Sequence, residues 1–348
     1  MVKTREVQTG KNRASVLPSR RILYLDYAKG IGIFLVVLGH SFGSLFTPDA
    51  QPSKLLWQVF YYVVEWIYTF HMPLFFFISG LFLEKLAKKP LKGFLINRLI
   101  GIVYPYLVWS VLQEKLRTIT GIRHEPLTHL WQILYSPLMQ FWFLYVLFLI
   151  SIVAVLLRKL QVSVEVIFGL SSLLLASLLI DLNLGPWGVL YMVRVYSLYF
   201  AAGAVCGKWR VLPRLARLGV RGLAQGTFLG FGVVTLAVLF KVASVPVLAA
   251  LWATAGIFST LLLAMYLDRT HHLPFVRFWG QRSLEIYLAH TIFSAAAATL
   301  VHRLLGPSYL ALEVMVSLVA GMAGPVVLYR FCQRWRLMFL FRLQLVKE

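Results

Sequence analysis

Leu25-Asp26-Tyr27-Ala28-Lys29-Gly30-Ile31-Gly32-Ile33-Phe34-Leu35-Val36-Val37-Leu38-Gly39-His40 sits inside an apolar run from Ile22 to Phe46. A helix rises about 1.5 Å per residue, so this run is long enough to cross the roughly 30 Å of hydrocarbon in a bilayer. It carries three ionisable groups, Asp26, Lys29 and His40. Lys29 to His40 is eleven residues, about 20° from whole turns and about 16 Å along the axis, and Asp26 to His40 is about 40° off. All three therefore share one face of a straight helix. Gly30, Gly32, Gly39 and Gly43 leave room for a neighbouring helix or a ligand to approach it.

Working outward, similar runs recur along the whole chain. They are Leu55–Leu83, Leu99–Gln113, Phe141–Leu157, Val162–Ile180, Gly188–Gly207, Ala224–Phe240, Val245–Leu267, Leu284–Leu304 and Leu310–Tyr329. Apolar residues make up 59% of the 348 positions and charged residues only 14%, against about 25% charged in a soluble domain. The fold class is thus an all-α integral membrane protein with about ten transmembrane helices. Residues 1–19 form a basic segment, 20–330 the membrane domain and 331–348 a basic tail. The segment from Glu114 to Gln140, with Trp131 and Tyr135, reads as an outer loop with an interfacial helix. No cleavable signal peptide is visible, and no internal repeat stands out.

The net charge of +21 would suggest nucleic acid in a soluble protein. Here the charge follows the spans. Taking alternate connections, 26 Lys and Arg fall on one side and 6 on the other, leaving Lys29 and Arg194 inside spans. The positive-inside rule then puts both termini in the cytoplasm and the chain in the cell (inner) membrane as a multi-pass protein. The two cysteines, Cys206 and Cys332, suit neither a disulfide framework nor a metal site.

Ionisable groups within a span are costly, and each one prompts a functional reading. Asp26 and Lys29 read either as a local interfacial pair or as part of a site. His40, among Leu, Val and Gly, has no evident structural task, and neutral imidazole is the usual acceptor of a hydroxyl proton. On the second span Glu65 either orients a hydroxyl or sits at the outer interface; Pro73 is expected to kink the helix, with His71 structural beside it. Arg98 is either a phosphate grip or a positive-inside anchor. Trp142 lies in an aromatic run at an interface, and Arg194 needs a partner that the sequence does not name. Ser283, Tyr287 and His290 fall within an arc of about 60° and form a polar stripe. His124 and His129 do not make a zinc helix motif, being five apart with Pro126 between them, and His271 and His272 read as solvated. No P-loop, dinucleotide fingerprint or nucleophile elbow occurs.

These residues together resemble the membrane acyltransferase family 3, particularly the fucose 4-O-acetylase-like branch. The family's opening Leu-Asp-x-x-Arg-Gly and later histidine stand here as Leu25-Asp26-Tyr27-Ala28-Lys29-Gly30 and His40. Its Pro-Leu-Phe-Phe-x-x-Ser-Gly stands as Pro73 to Gly80. Its Trp-Phe-Leu is Trp142-Phe143-Leu144, its aromatic-then-glycine pattern is Tyr199-Phe200, Gly203 and Gly207, and its Ser-x-x-x-Tyr-x-x-His is Ser283, Tyr287 and His290. The chain departs from the pattern twice. Lys29 replaces an arginine, keeping the charge without the bidentate fork, and Gly101 stands where a second arginine follows Arg98.

The resemblance implies a membrane-bound O-acyltransferase, an enzyme transferring groups other than aminoacyl groups. Its donor would be an acyl-CoA, acetyl-CoA above all, as a co-substrate, with no bound cofactor and no metal. Its acceptor would be a sugar hydroxyl on a lipid-linked or cell-envelope glycan, and its other partner the lipid bilayer rather than nucleic acid. His40 and Asp26 are then the catalytic candidates, with Lys29 and Arg98 holding the donor. Glu65, Ser79, Trp142, Tyr287 and His290 are expected to line the substrate passage. The competing reading is a transporter or flippase of a glycan precursor, although matching inverted halves are not evident; a scaffold without chemistry would not need Asp26, Lys29 and His40 on one face.

Overall fold

The computed structural model describes residues 22–43, 53–119, 130–180 and 187–343. The basic segment 1–19, His124 and His129, and the last five residues of the tail lie outside this range. Among the described residues there is helix and no strand. The chain runs α1 (Leu23–Ser41), α2 (Lys54–Gly80), α3 (Leu83–Ala87) and α4 (Leu91–Arg98), then through one π-helical turn (Leu99–Val103) into α5 (Tyr104–Ile119). It continues with α6 (Trp142–Lys159), α7 (Val164–Ala176), α8 (Val189–Lys208), α9 (Val211–Leu215) and α10 (Val220–Leu239). α11 (Pro246–Thr270), α12 (Pro274–Gln281), α13 (Ser283–Leu305) and α14 (Leu310–Arg334) complete it.

Counting α4 to α5 as one continuous helix, nine described helices are long and apolar enough to cross a membrane. They and α7 follow the ten expected runs in order. The protein is an all-α integral membrane protein. α7 differs from the others because its 13 residues reach only about 20 Å. A short turn over Ser177–Leu179 extends it, and Arg194 on α8 closes its end. The guanidinium donates to Ser177 Oγ at 2.9 Å, to the Ser177 carbonyl and to the Ile180 carbonyl at 3.5 Å. The partner that Arg194 requires is therefore the free carbonyl end of a helix too short to span.

Two expectations are corrected. The third span begins at Leu91 and ends at Ile119, because the π turn joins two helical pieces that the polar residues Asn97 and Arg98 seemed to separate. The expected interfacial helix is absent from the described part of the third-to-fourth connection, which holds only 3-10 turns at Leu130–Leu134 and Met139–Phe141; Pro137 between them removes a donor and blocks α-helix. Pro73 lies inside α2, which is helical on both sides of it, from Lys54 to Gly80, and its neighbours Met72 and Leu74 are buried.

The basic connections gather at one end of the bundle, tied by contacts between distant segments. Arg158 pairs with Glu84 at 2.9 Å, and Lys208 with Glu165 at 2.8 Å. Lys159 donates to the carbonyls of Ala87 and Lys89, and Tyr27 to that of His272. Arg269 binds the carbonyls of Ala216 and Leu218, and Arg282 sits 4.4 Å over the ring of Tyr329.

Water does not drive helices together in lipid, so close backbone packing must. α1 lies against α12 with Gly30 facing the Val276 carbonyl and Gly280 facing that of Asp26. α2 lies against α8 with Gly80 on the Phe200 carbonyl, Gly203 on Phe77 and Gly207 on Leu81. A methyl group at any of these glycines would overlap backbone oxygen or press on it. α13 and α14 are joined by reciprocal hydrogen bonds, Ser294 and Ser317 each donating to the other's carbonyl at 3.1 Å. Gly203→Val should lower the melting temperature in detergent or abolish monodisperse protein, because overpacking costs about 1–3 kcal/mol even where side chains can yield. Gly169→Ala, which meets no atom within 4 Å, should shift stability by no more than about 1 kcal/mol; similar melting of the two variants would show that the α2–α8 contact does not set the packing.

Candidate active site

At the basic end, the first turns of α1 meet the end of α2, α3 and α4 around a cavity of ≈ 740 Å³. Asp26, Lys29, Ser79, Lys85, Lys89 and Arg98 supply its polar lining. Four cations thus face one carboxylate. Lys29 is held by Asp26 at 2.9 Å, one helical turn away, while Lys85, Lys89 and Arg98 have no acidic partner within ion-pair distance among the described residues. The nearby Arg158 and Lys159 are bound elsewhere, as described above. Arg98 lies 5.4 Å over the Phe94 ring, which fixes its guanidinium at the inner edge of the vestibule. Such an excess of positive charge in a low-dielectric cleft attracts a polyanion.

Behind the vestibule lies a second, narrower cavity of ≈ 240 Å³. It shares Ser79 and Arg98 with the first, so the two cavities adjoin there. Its walls are Ile33 of α1, Met72 and Phe75 of α2, and Phe143, Leu144 and Leu147 of α6, with Ser283 at the start of α13 and Tyr287 one turn further into the bundle. Gly32 brings α1 to within van der Waals reach of Phe75 and Leu74. The Ser79 hydroxyl is turned onto its own helix, donating to the Phe75 carbonyl at 2.8 Å. A charged mouth therefore opens into an apolar neck.

Beyond the neck stand three imidazoles from three helices. His40 (α1) and His290 (α13) have ring centroids 5.1 Å apart. Both His290 and His71 (α2) lie within electrostatic reach of His40. By helix rise His40 is about 16 Å from Lys29 and His71 about 12 Å from Ser79, so the rings sit at similar depth. The tautomer of two of them follows from their contacts. His290 Nδ1 is 2.8 Å from the Tyr287 carbonyl and 3.2 Å from that of Ile286. His71 Nδ1 is 2.7 Å from the Ile67 carbonyl. A carbonyl only accepts, so the hydrogen is assigned to Nδ1 in each ring and the lone pair to Nε2. His290 is wholly buried, and its Nε2 has no hydrogen-bond partner among the described residues. His40 is only half-buried and its ring accepts or donates no hydrogen bond among the described residues, which leaves it the accessible base of the group.

Tyr287 joins the neck to the histidines. Its ring lies 5.5 Å from that of Phe143 and 6.1 Å from that of His290, and its hydroxyl donates to the Gln140 carbonyl. Asp26, Lys29, Ser79, Arg98 and Tyr287 line the two adjoining cavities, and His290 lies beside Tyr287 with His40 against it. Two expected lining residues do not belong. Trp142 packs between Phe76 and Tyr196, at 6.4 and 5.0 Å, because Phe143 takes the inward position next to it. Glu65 is half-buried and lines neither cavity. Lys85 and Lys89 were legible only as topological charge; Lys85 is on α3 and Lys89 in the turn that follows it. Gln113, Gln140 and Thr291, a buried amide cluster beside His290, gave no signal because they are uncharged. A separate groove of ≈ 600 Å³ between α6, α7 and α8 has no ionisable lining residue. Cys206 and Cys332 are both free thiols.

Similarity to known proteins agrees with this geometry. The profile of the acyltransferase 3 family, described as an acyltransferase domain, matches residues 22–330. Nodulation protein NolL of Mesorhizobium japonicum is 30% identical over 142 residues, 40% of this chain and 37% of that protein. The matched stretch thus spans little more than a third of the relative's length. No solved structure matches the chain. With the family profile covering nearly every described helix, the chain belongs to the acyltransferase 3 family of membrane acyltransferases.

Proposed function

We propose that the chain is an O-acetyltransferase of the inner membrane that moves an acetyl group from acetyl-CoA to a hydroxyl of a sugar or cell-envelope glycan. The observation that carries this reading is that the two cavities adjoin at Ser79 and Arg98. It supplies a cationic seat for the phosphates of a coenzyme, an apolar neck for its arm and an imidazole pair at the end. With both termini cytoplasmic, the vestibule opens to the compartment that holds acyl-CoA. The distance from the donor mouth to His40 is then bridged by the neck.

In this scheme Lys29, Lys85, Lys89 and Arg98 bind the phosphates, and Asp26 fixes the Lys29 ammonium. His40 accepts the proton of the acceptor hydroxyl as its oxygen attacks the thioester carbonyl. A C–O bond forms and the C–S bond breaks. The thiolate leaves with the pair of electrons and takes its proton from the imidazolium of His40. His290, locked with Nε2 bare toward the interior, steadies the charge that His40 gains. The match to a nodulation protein, whose name gives no reaction, adds support only at the level of the family.

Membranes containing the chain, supplied with acetyl-CoA labelled in the acetyl group, should transfer label to a carbohydrate fraction. His40→Ala should reduce that transfer by about 10²–10⁴-fold, the usual contribution of a general base, at unchanged protein level. Undiminished labelling would remove His40 from the chemistry, and absence of label in the wild type would favour movement of a glycan precursor instead. The double reversal Lys85→Glu with Lys89→Glu should raise the KM for acetyl-CoA about tenfold, two exposed charges being worth roughly 1.4 kcal/mol together when inverted. It should also flatten the dependence of KM on ionic strength. An unchanged KM and salt profile would place the coenzyme elsewhere.

A further inference from the structure

The bundle holds a second polar cluster next to the histidines, built from uncharged side chains. Gln113 on α5 and Gln140 in the turn before α6 are both nearly wholly buried. The Gln140 side-chain nitrogen donates to Gln113 Oε1 at 2.9 Å and to Thr291 Oγ1 at 3.0 Å. Gln113 Nε2 donates to the same threonine hydroxyl at 3.0 Å and approaches the Met139 sulfur at 3.5 Å. Both hydrogens of the Gln140 amide are therefore engaged, and its plane is pinned from two sides. Its carbonyl oxygen, Oε1, is buried and has no hydrogen-bond partner among the described residues.

An amide carbonyl left bare inside a bilayer is unfavourable, and unmatched groups of this kind are uncommon. This one is held in place by neighbours that belong to the reaction site. The backbone carbonyl of Gln140 accepts from the Tyr287 hydroxyl, and Thr291 directly follows His290 in α13. Gln140 thus meets Tyr287, at the end of the neck, through its backbone and Thr291, the residue after His290, through its side chain. What it offers there is an acceptor only. The missing partner must be a donor, and the donor groups a polyol carries are its hydroxyls.

We infer that Gln140, braced by Gln113 and Thr291, is the acceptor-positioning residue: its Oε1 takes a hydrogen bond from a hydroxyl of the glycan next to the one that is acylated. This rests on the acyltransferase reading given above. It assigns the two sides of the histidine pair, with the thioester arriving along the neck past Tyr287 and the polyol seated against the amide cluster. It also means that the enzyme selects acceptors with neighbouring hydroxyls over simple alcohols, because a monohydric alcohol leaves Oε1 bare.

The test uses the full-length protein in membranes, acetyl-CoA, and the carbohydrate fraction that accepts label from the wild type. Gln140→Met keeps the volume and removes the oxygen. It should raise the half-saturating carbohydrate concentration about tenfold or more, the effect of one uncharged hydrogen bond. The KM for acetyl-CoA should stay within about twofold. Gln140→Glu, which keeps an acceptor oxygen, should recover part of the loss. If Gln140→Met does not reach the membrane, Gln113→Met, which leaves Oε1 present but unpinned, is read in the same way. An unchanged carbohydrate dependence, or equal rises for carbohydrate and acetyl-CoA, overturns the assignment while leaving the transferase reading intact. A wild type that labels no carbohydrate overturns both.

Discussion

In hydrocarbon a polar group has no water to fall back on, and an unmatched one costs several kcal/mol. The arrangement of this bundle follows from that constraint. Most polar groups that serve the frame find partners, although among the described residues Ser197 Oγ and Arg277 Nε do not. Arg194 closes the end of the short α7, Ser294 and Ser317 close on each other, and the serine and threonine hydroxyls of α2, α10 and α11 fold back onto their own helices. His290 Nε2 and Gln140 Oε1 are the exceptions that matter, since both are buried, both lack partners, and both lie where the neck ends.

Helix α1 organises the site along its length. Its first turns carry the Asp26–Lys29 pair into the vestibule, Ile33 lines the neck, and His40 stands at the reacting end. Glycine is what lets this helix serve so many neighbours. Gly30 admits the Val276 carbonyl of α12, Gly32 the Phe75 ring, and Gly39 the Tyr68 ring. Larger residues would push away the elements that complete the path, so the same glycines that tighten the fold also shape the site. α12 is a short helix that does not span, yet it braces α1 from below with Trp279 stacked on Phe34 at 5.9 Å.

Charge and apolarity are divided along the path in the order a coenzyme thioester requires. The cations cluster at the mouth, which suits capture of phosphates. Between Ser79 and Tyr287 the neck is walled by apolar side chains of α1, α2 and α6, which limit water around a reactive thioester. Imidazoles and amides appear only past Tyr287. That division is a property of several packed helices, and no one of them carries it alone.

The sequence by itself determined the membrane class, the order of the spans, the alternation of basic connections and the residues of α1 that face one way. Those depend on local composition and on the fixed rise and turn of a helix, which need no knowledge of neighbours. It also marked His40, Tyr287 and His290, because ionisable or polar side chains are conspicuous among Leu and Val. Only the tertiary structure decided what met what. It opposed His40 to His290 from helices some 250 positions apart in the chain, turned Trp142 away from the path it was expected to line, left Glu65 outside both cavities and brought Lys85 and Lys89 into the vestibule. The Gln113–Gln140–Thr291 cluster was out of reach of the sequence altogether: its residues are uncharged and distant in the chain, and what distinguishes it, an acceptor left without a donor, exists only once the hydrogen bonds have formed.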